Sequence, residues 1–123
     1  MIFYNEIHEN SYNDICSKMK YLDCYHRSVA YLLSLDRVLR EHLEEVFDFK
    51  EDVIIPEGLN KGFQTGTSMK TTRLAFNLWN GYCSEGERLE EETASSYYSP
   101  EQIFCCYDYA PYYWEAIKIR FEY

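Results

Sequence analysis

The chain has 123 residues, a formal charge of −9, 46% hydrophobic and 18% aromatic residues. That is the length of one domain, apolar enough for a core without disulfide or metal scaffolding and too apolar for a disordered chain. The charge argues against direct binding of a nucleic-acid backbone, and no apolar run approaches the ~20 residues of a membrane span.

No basic segment leads into a short apolar run as in a secretory signal, so a cytoplasmic protein is expected. The cysteines, Cys16, Cys24, Cys83, Cys105 and Cys106, are odd in number, and the last two are adjacent. Neither a disulfide framework nor a tetrahedral metal site has that spacing, so reduced thiols that mostly pack are expected.

In chain order, Ile2-Phe3-Tyr4 should dock on the body. Asn10 or Ser11 can cap a first helix whose stripe is Tyr12, Ile15, Cys16, Met19 and Leu22. Asp23 starts a second, running to about Ser34 with an apolar C-terminal half. Asp36 can cap a third, in which Val38, Leu39, Leu43, Val46 and Phe47 form the buried side. Its other side carries the opposite-charge pairs Arg37–Glu41 and Arg40–Glu44. Pro56 and Gly58 make 48–60 a loop with an extended Val53-Ile54-Ile55.

Glycines 62 and 66 continue that loop into a central buried helix, 67–81, capped by Thr67 or Ser68 and stopped by Gly81. At ~100° per residue, Leu74, Leu78, Tyr82, Ala75, Trp79 and Phe76 cover an arc of roughly 200° of this helix. Lys70, Arg73, Asn77 and Asn80 share the remaining stripe. Residues 85–92 form an acidic surface segment. Ser99-Pro100-Glu101-Gln102 opens another helix to about Tyr107. After Pro111 a helix to about Ile119 is favoured, although 117–123 also alternates as a short C-terminal strand would. The expected fold is mainly α, one domain over 1–123, with about six helices around helix 67–81.

Two candidate sites follow. Small hydroxyl residues and basic side chains at a helix N-terminus suit an anion, nucleotide-like in size, held by Lys61, Gln64, Thr65, Thr67, Ser68, Lys70, Arg73 and Asn77. Walker A needs its Lys directly after the second Gly, whereas Gly66 and Lys70 are four apart, so no NTPase is expected. The same segment also reads as a structural loop and helix cap. The second candidate is a partner-binding face made of Glu87, Glu90, Glu91 and Glu92 with Tyr97, Tyr98, Tyr109 and Tyr112, since tyrosine joins apolar area to a polar tip. The alternative there is a core finished with aromatics. His8, His26 and His42 are scattered with no metal-ligand spacing, so neither metal, cofactor nor catalytic residue is expected.

Three blocks carry a resemblance: Tyr25-His-Arg-Ser-Val-Ala-Tyr-Leu-Leu33; Pro56-Glu-Gly-Leu-Asn-Lys-Gly62 through Arg73-Leu-Ala-Phe-Asn-Leu-Trp-Asn-Gly-Tyr82; and Ala116-Ile-Lys-Ile-Arg-Phe121. Together they resemble an uncharacterised family of short proteins from Gram-positive bacteria and their phages and mobile elements, a domain of unknown function. The resemblance transfers no activity; it implies a small accessory protein, often phage-associated. The function expected first is therefore non-catalytic binding, a phage-type antagonist of bacterial defence that sequesters the nucleotide-like anion. The alternative is an acidic interaction protein that docks on a basic nucleic-acid-binding host protein. A homodimer through the aromatic surface fits either.

Overall fold

A computed structural model describes residues 1–84, 96–105 and 108–123. The described residues form helices α1 (Glu6–Lys18), α2 (Cys24–Leu35), α3 (Arg37–Arg40), α4 (Leu43–Val46), α5 (Gly66–Asn80), α6 (Pro100–Ile103) and α7 (Ala110–Phe121). Strands β1 (Phe47–Asp48) and β2 (Val53–Ile54) make one small antiparallel hairpin, with Phe47 opposite Ile54 and Asp48 opposite Val53. Short 3-10 turns occupy Pro56–Asn60 and Ser96–Tyr98. The chain is mainly α, as its apolar periodicity predicts.

Several boundaries differ from expectation. α1 starts at Glu6 because Asn5 supplies the cap, its side chain accepting the His8 N–H at 2.8 Å. Glu6 and Glu9 then favour the positive end of the helix dipole. Asp23 and Asp36 cap α2 and α3 as predicted. The third helix, however, breaks in two at His42, whose backbone (φ −135°, ψ 31°) is not helical, and its end becomes β1. α6 stops at Ile103, and the predicted continuation to Tyr107 reaches residues outside those described. The tail is helical to Phe121, not a strand, and Glu122 closes it in a left-handed conformation (φ 59°).

α2 and α5 make up the centre. α5 is buried over Thr71–Phe76 and at Leu78. Nine of the twelve α2 residues are buried, because α1, α5 and α7 all pack on that helix. Tyr31, Leu32 and Leu33 within it are fully enclosed. Gly81 ends α5 at φ 79°, where its N–H reaches the Asn77 carbonyl at 2.7 Å, the left-handed cap that glycine adopts at least cost.

Gly58 has a different reason to be glycine. A Cβ there would lie 2.5 Å from the Glu45 carbonyl oxygen and 2.8 Å from Val46 Cγ1. The 3-10 turn thus lies directly on α4. Gly58→Ala should cost about 1–3 kcal/mol through overpacking. Chemical denaturation measures it, and a change within error of zero would mean that the turn does not sit this close.

Candidate functional site

The predicted anion segment is built mostly inward. Thr65, not Thr67 or Ser68, caps α5: Thr65 Oγ1 accepts the Ser68 N–H at 3.0 Å, and Ser68 Oγ accepts the Thr65 N–H at 2.7 Å. That reciprocal pair is a capping box with Ser68 in the place usually taken by Glu or Gln. Ser68 Oγ also donates to Gln64 Oε1 at 2.6 Å, and Gln64 Nε2 donates to the Gly58 carbonyl at 3.1 Å and to Thr72 Oγ1 at 3.2 Å. Gln64 therefore fastens the loop to the helix beneath it.

The other members are distributed around this network. The Thr67 carbonyl accepts from Thr71 Oγ1. Lys61 is exposed. Lys70 Nζ lies 2.9 Å from Cys105 Sγ. Arg73 is buried, 8% exposed, with its guanidinium 4.6 Å from the centre of the Tyr97 ring. Asn77 Nδ2 donates to the Tyr82 carbonyl at 3.2 Å. The buried hydroxyl contact on this helix lies at residues outside the predicted polar stripe: Thr71 Oγ1 and the Tyr113 hydroxyl are 2.6 Å apart, linking α5 to α7. Its signal was the hydroxyl run Thr67-Ser68 and Thr71-Thr72, at i,i+4 spacing.

Of the partner-face residues, Glu87, Glu90, Glu91 and Glu92 lie outside the described residues. The tyrosines are half-buried. Tyr97 lies under Arg73, Tyr98 donates to the Ser84 carbonyl at 2.8 Å, and the Tyr109 hydroxyl donates to Asp36 at 3.2 Å. Tyr112 packs edge-on against Tyr4. Burial, then the nearby Asp36 carboxylate, pushes the Tyr109 hydroxyl well above its ordinary pKa. All four rings are partly packed, and the hydroxyls of Tyr98 and Tyr109 have hydrogen-bond partners.

The structure assembles a third place that sequence reasoning did not. Tyr21, Asp23, Tyr25, His26, Asp52 and Trp79 line an open recess of about 350 Å³. His26 Nδ1 lies 2.7 Å from Asp23 Oδ1, and Nε2 lies 2.8 Å from Asp52 Oδ1 and 3.0 Å from Oδ2. An ionised carboxylate only accepts, so this clasp is complete when both ring nitrogens carry a proton. It ties the first turn of α2 to the hairpin turn, where Asp52 holds φ 61°. Partial burial opposes ionisation of Asp23, but the hydrogen bonds and charge of His26, with the Tyr25 N–H, outweigh it and hold the carboxyl below its ordinary pKa. The Trp79 ring meets His26 edge-on at 4.8 Å. The spacing Asp23-x-x-His26 signalled half of the clasp; Asp52, 26 residues further on, had no local signal.

His8 is also fully used. Its Nδ1 accepts the Tyr4 N–H at 3.0 Å, so Nε2 carries the proton and donates to the Tyr31 carbonyl at 2.8 Å. Two of the three histidines thus have both nitrogens engaged. Among the described residues no group of three or more His, Cys, Asp or Glu side chains converges to hold a metal ion. Cys16, Cys24, Cys83 and Cys105 are unbridged thiols, and burial, first of all, raises the Cys16 pKa. No helix among the described residues is long and apolar enough to cross a membrane.

No curated protein and no solved structure matches the chain. A family profile does, over residues 1–123: the chain belongs to a family of unknown function (DUF6075).

Proposed function

We propose that this is a non-catalytic, acidic binding protein that docks on a basic protein partner. The observation that carries the proposal is where the polar side chains of the 61–73 segment go. Gln64, Thr65 and Ser68 bond to one another and to the chain, and Arg73 is buried against Tyr97. With those four side chains engaged, the net charge of −9 favours a basic partner, since complementary charge speeds encounter and selects partners. Histidines whose ring nitrogens are both occupied support a role without acid–base chemistry. The setting we propose, from the family resemblance, is that of a phage or mobile-element protein that blocks a nucleic-acid-binding host protein.

The competing reading, sequestration of an anionic nucleotide-like ligand, retains two features: exposed Lys61, and Gly66 in the first turn of α5 with nothing within 4 Å of a Cβ built there. One comparison separates the two. A fluorescent arginine-rich peptide should bind at least about tenfold more tightly than its glutamine counterpart, and more weakly as salt is raised. Thermal-shift scans with mono-, di- and cyclic nucleotides should leave the melting temperature unchanged. A peptide that does not bind, together with a nucleotide that stabilises the protein and loses its effect in Lys61→Ala, would overturn the docking proposal in favour of sequestration.

A further inference from the structure

We infer that the recess framed by Tyr21, Tyr25 and Trp79, with Asp23 at its rim, receives an arginine side chain of the protein partner. This rests on the docking proposal and names the place where docking is centred.

Its walls and rim match a guanidinium in three ways. The first is access: the recess of about 350 Å³ is shallow and wide open to solvent, so a side chain can enter without any element moving. The second is aromatic surface, with Tyr21 open to solvent and Tyr25 half open beside the Arg120 that stacks on its ring. Tyr21 is 61% exposed and Tyr25 41%, high values for large rings, and aromatic faces attract planar cations. Among the described residues arginine already makes such contacts. Arg120 stacks on Tyr25 with 3.7 Å to the ring centre, and Arg73 on Tyr97 at 4.6 Å. The third is charge. The two carboxylates Asp23 and Asp52 share one imidazole, so the clasp keeps a net negative charge even when His26 is protonated. The Asp23 side chain is 52% exposed against 20% for Asp52 and 6% for His26, which puts the excess charge at the rim. An arginine entering there would place its planar fork against the Asp23 carboxylate while its face meets the rings. Arg120 is the cation nearest to Tyr25, and it covers that ring without lining the recess.

Two of the other recesses suit this ligand less well. The one of about 240 Å³ between α5, α6 and α7 is lined by Leu74, Leu78, Ile103 and Phe121 and carries the cation Arg120. The one of about 330 Å³ beside α7 mixes Arg27 and Lys118 with Glu115, whose carboxylate is already paired with Lys118 at 2.9 Å.

The test uses the full chain with Trp114→Phe, so that Trp79 is its one indole. The arginine-rich peptide should change Trp79 emission, and N-acetyl-arginine amide at high concentration should produce the same change. Tyr21→Ala and, separately, Asp23→Asn should each weaken peptide binding about tenfold. Asn caps a helix as well as Asp does, so the second variant removes the charge and keeps α2. Glu9→Gln, an exposed acid on α1, should bind as the parent does. If the peptide binds both variants at full affinity and leaves Trp79 unchanged, the recess is not the site although the docking proposal stands. If the peptide does not bind the parent protein, the docking proposal fails and the recess assignment with it.

Discussion

Phe76→Ala should lower the unfolding free energy by about 3–5 kcal/mol, the range for truncating a large aromatic side chain in a packed core. Phe76 is 1% exposed near the middle of α5, and its ring meets Tyr82 edge-on at 5.8 Å just beyond the helix end. The loss has two parts, the apolar transfer of the ring and the void it leaves between helices that cannot close completely. Leu74 and Leu78, on the same helix, border the recess of about 240 Å³. Their truncation enlarges space already open, so it should cost less than Phe76→Ala. Urea denaturation of the three alanine variants tests the ordering, with equal slopes required for the comparison. A loss below about 1 kcal/mol for Phe76→Ala would place α5 outside the core.

His8 is expected to make stability pH-dependent. Burial first, helped by the positive charge of Arg40, holds the His8 pKa below its ordinary value against the raising effect of the hydrogen bond to the Tyr31 carbonyl. Its geometry agrees, because Nδ1 accepts a backbone N–H and therefore holds no proton. The sign follows from proton counting. Below an unfolded pKa of about 6.5 the unfolded chain takes up a proton that the folded chain refuses, so acid favours unfolding. Stability should be fully present above that value. It should fall as pH drops below it, by up to about 1.4 kcal/mol per pH unit, and level off below the folded pKa. His8→Gln, which keeps polar atoms in place, should flatten this part of the profile. His8→Ala should cost about 2 kcal/mol or more, since the ring leaves a void, the Tyr4 N–H loses its acceptor, and the Tyr31 carbonyl keeps only its Ser34 hydroxyl donor at 2.9 Å in place of two side-chain donors. A parent protein equally stable at pH 7 and pH 5 would contradict the assignment.

What the residues disclosed in advance was local chemistry. Asp23, Asp36, Ser99 and Gly81 act as caps where expected, and the apolar periods of α2 and α5 produce buried helices. These signals reach only three or four residues along the chain. The errors lie where distant contacts decide. The long third helix breaks at His42, whose ring stacks on Phe63 at 4.1 Å, a residue twenty-one positions away. α1, capped early by Asn5, carries His8, polar by type, into the core, with donors and acceptors matched by Tyr4 and Tyr31. The anion segment was legible as small polar residues before a helix, a composition that serves a capping box as well as a ligand. Side-chain hydrogen bonds decide between these uses, and they have no period. The aromatic recess was illegible for a similar reason: its lining residues come from the segment before α2, from α2, from the hairpin turn and from α5.

The position of α2 bears on the order in which the chain can assemble. α1 and α2 adjoin in sequence and can pair early, at little cost in chain closure. That pair still leaves open the α2 surfaces later covered by α5 and α7. An amino-terminal fragment ending before α5 would therefore carry an apolar helix with two uncovered sides and should be prone to association rather than stable folding. The core closes only when the last helix arrives, and the Arg120 Nε–H then reaches the Leu78 carbonyl at 2.8 Å.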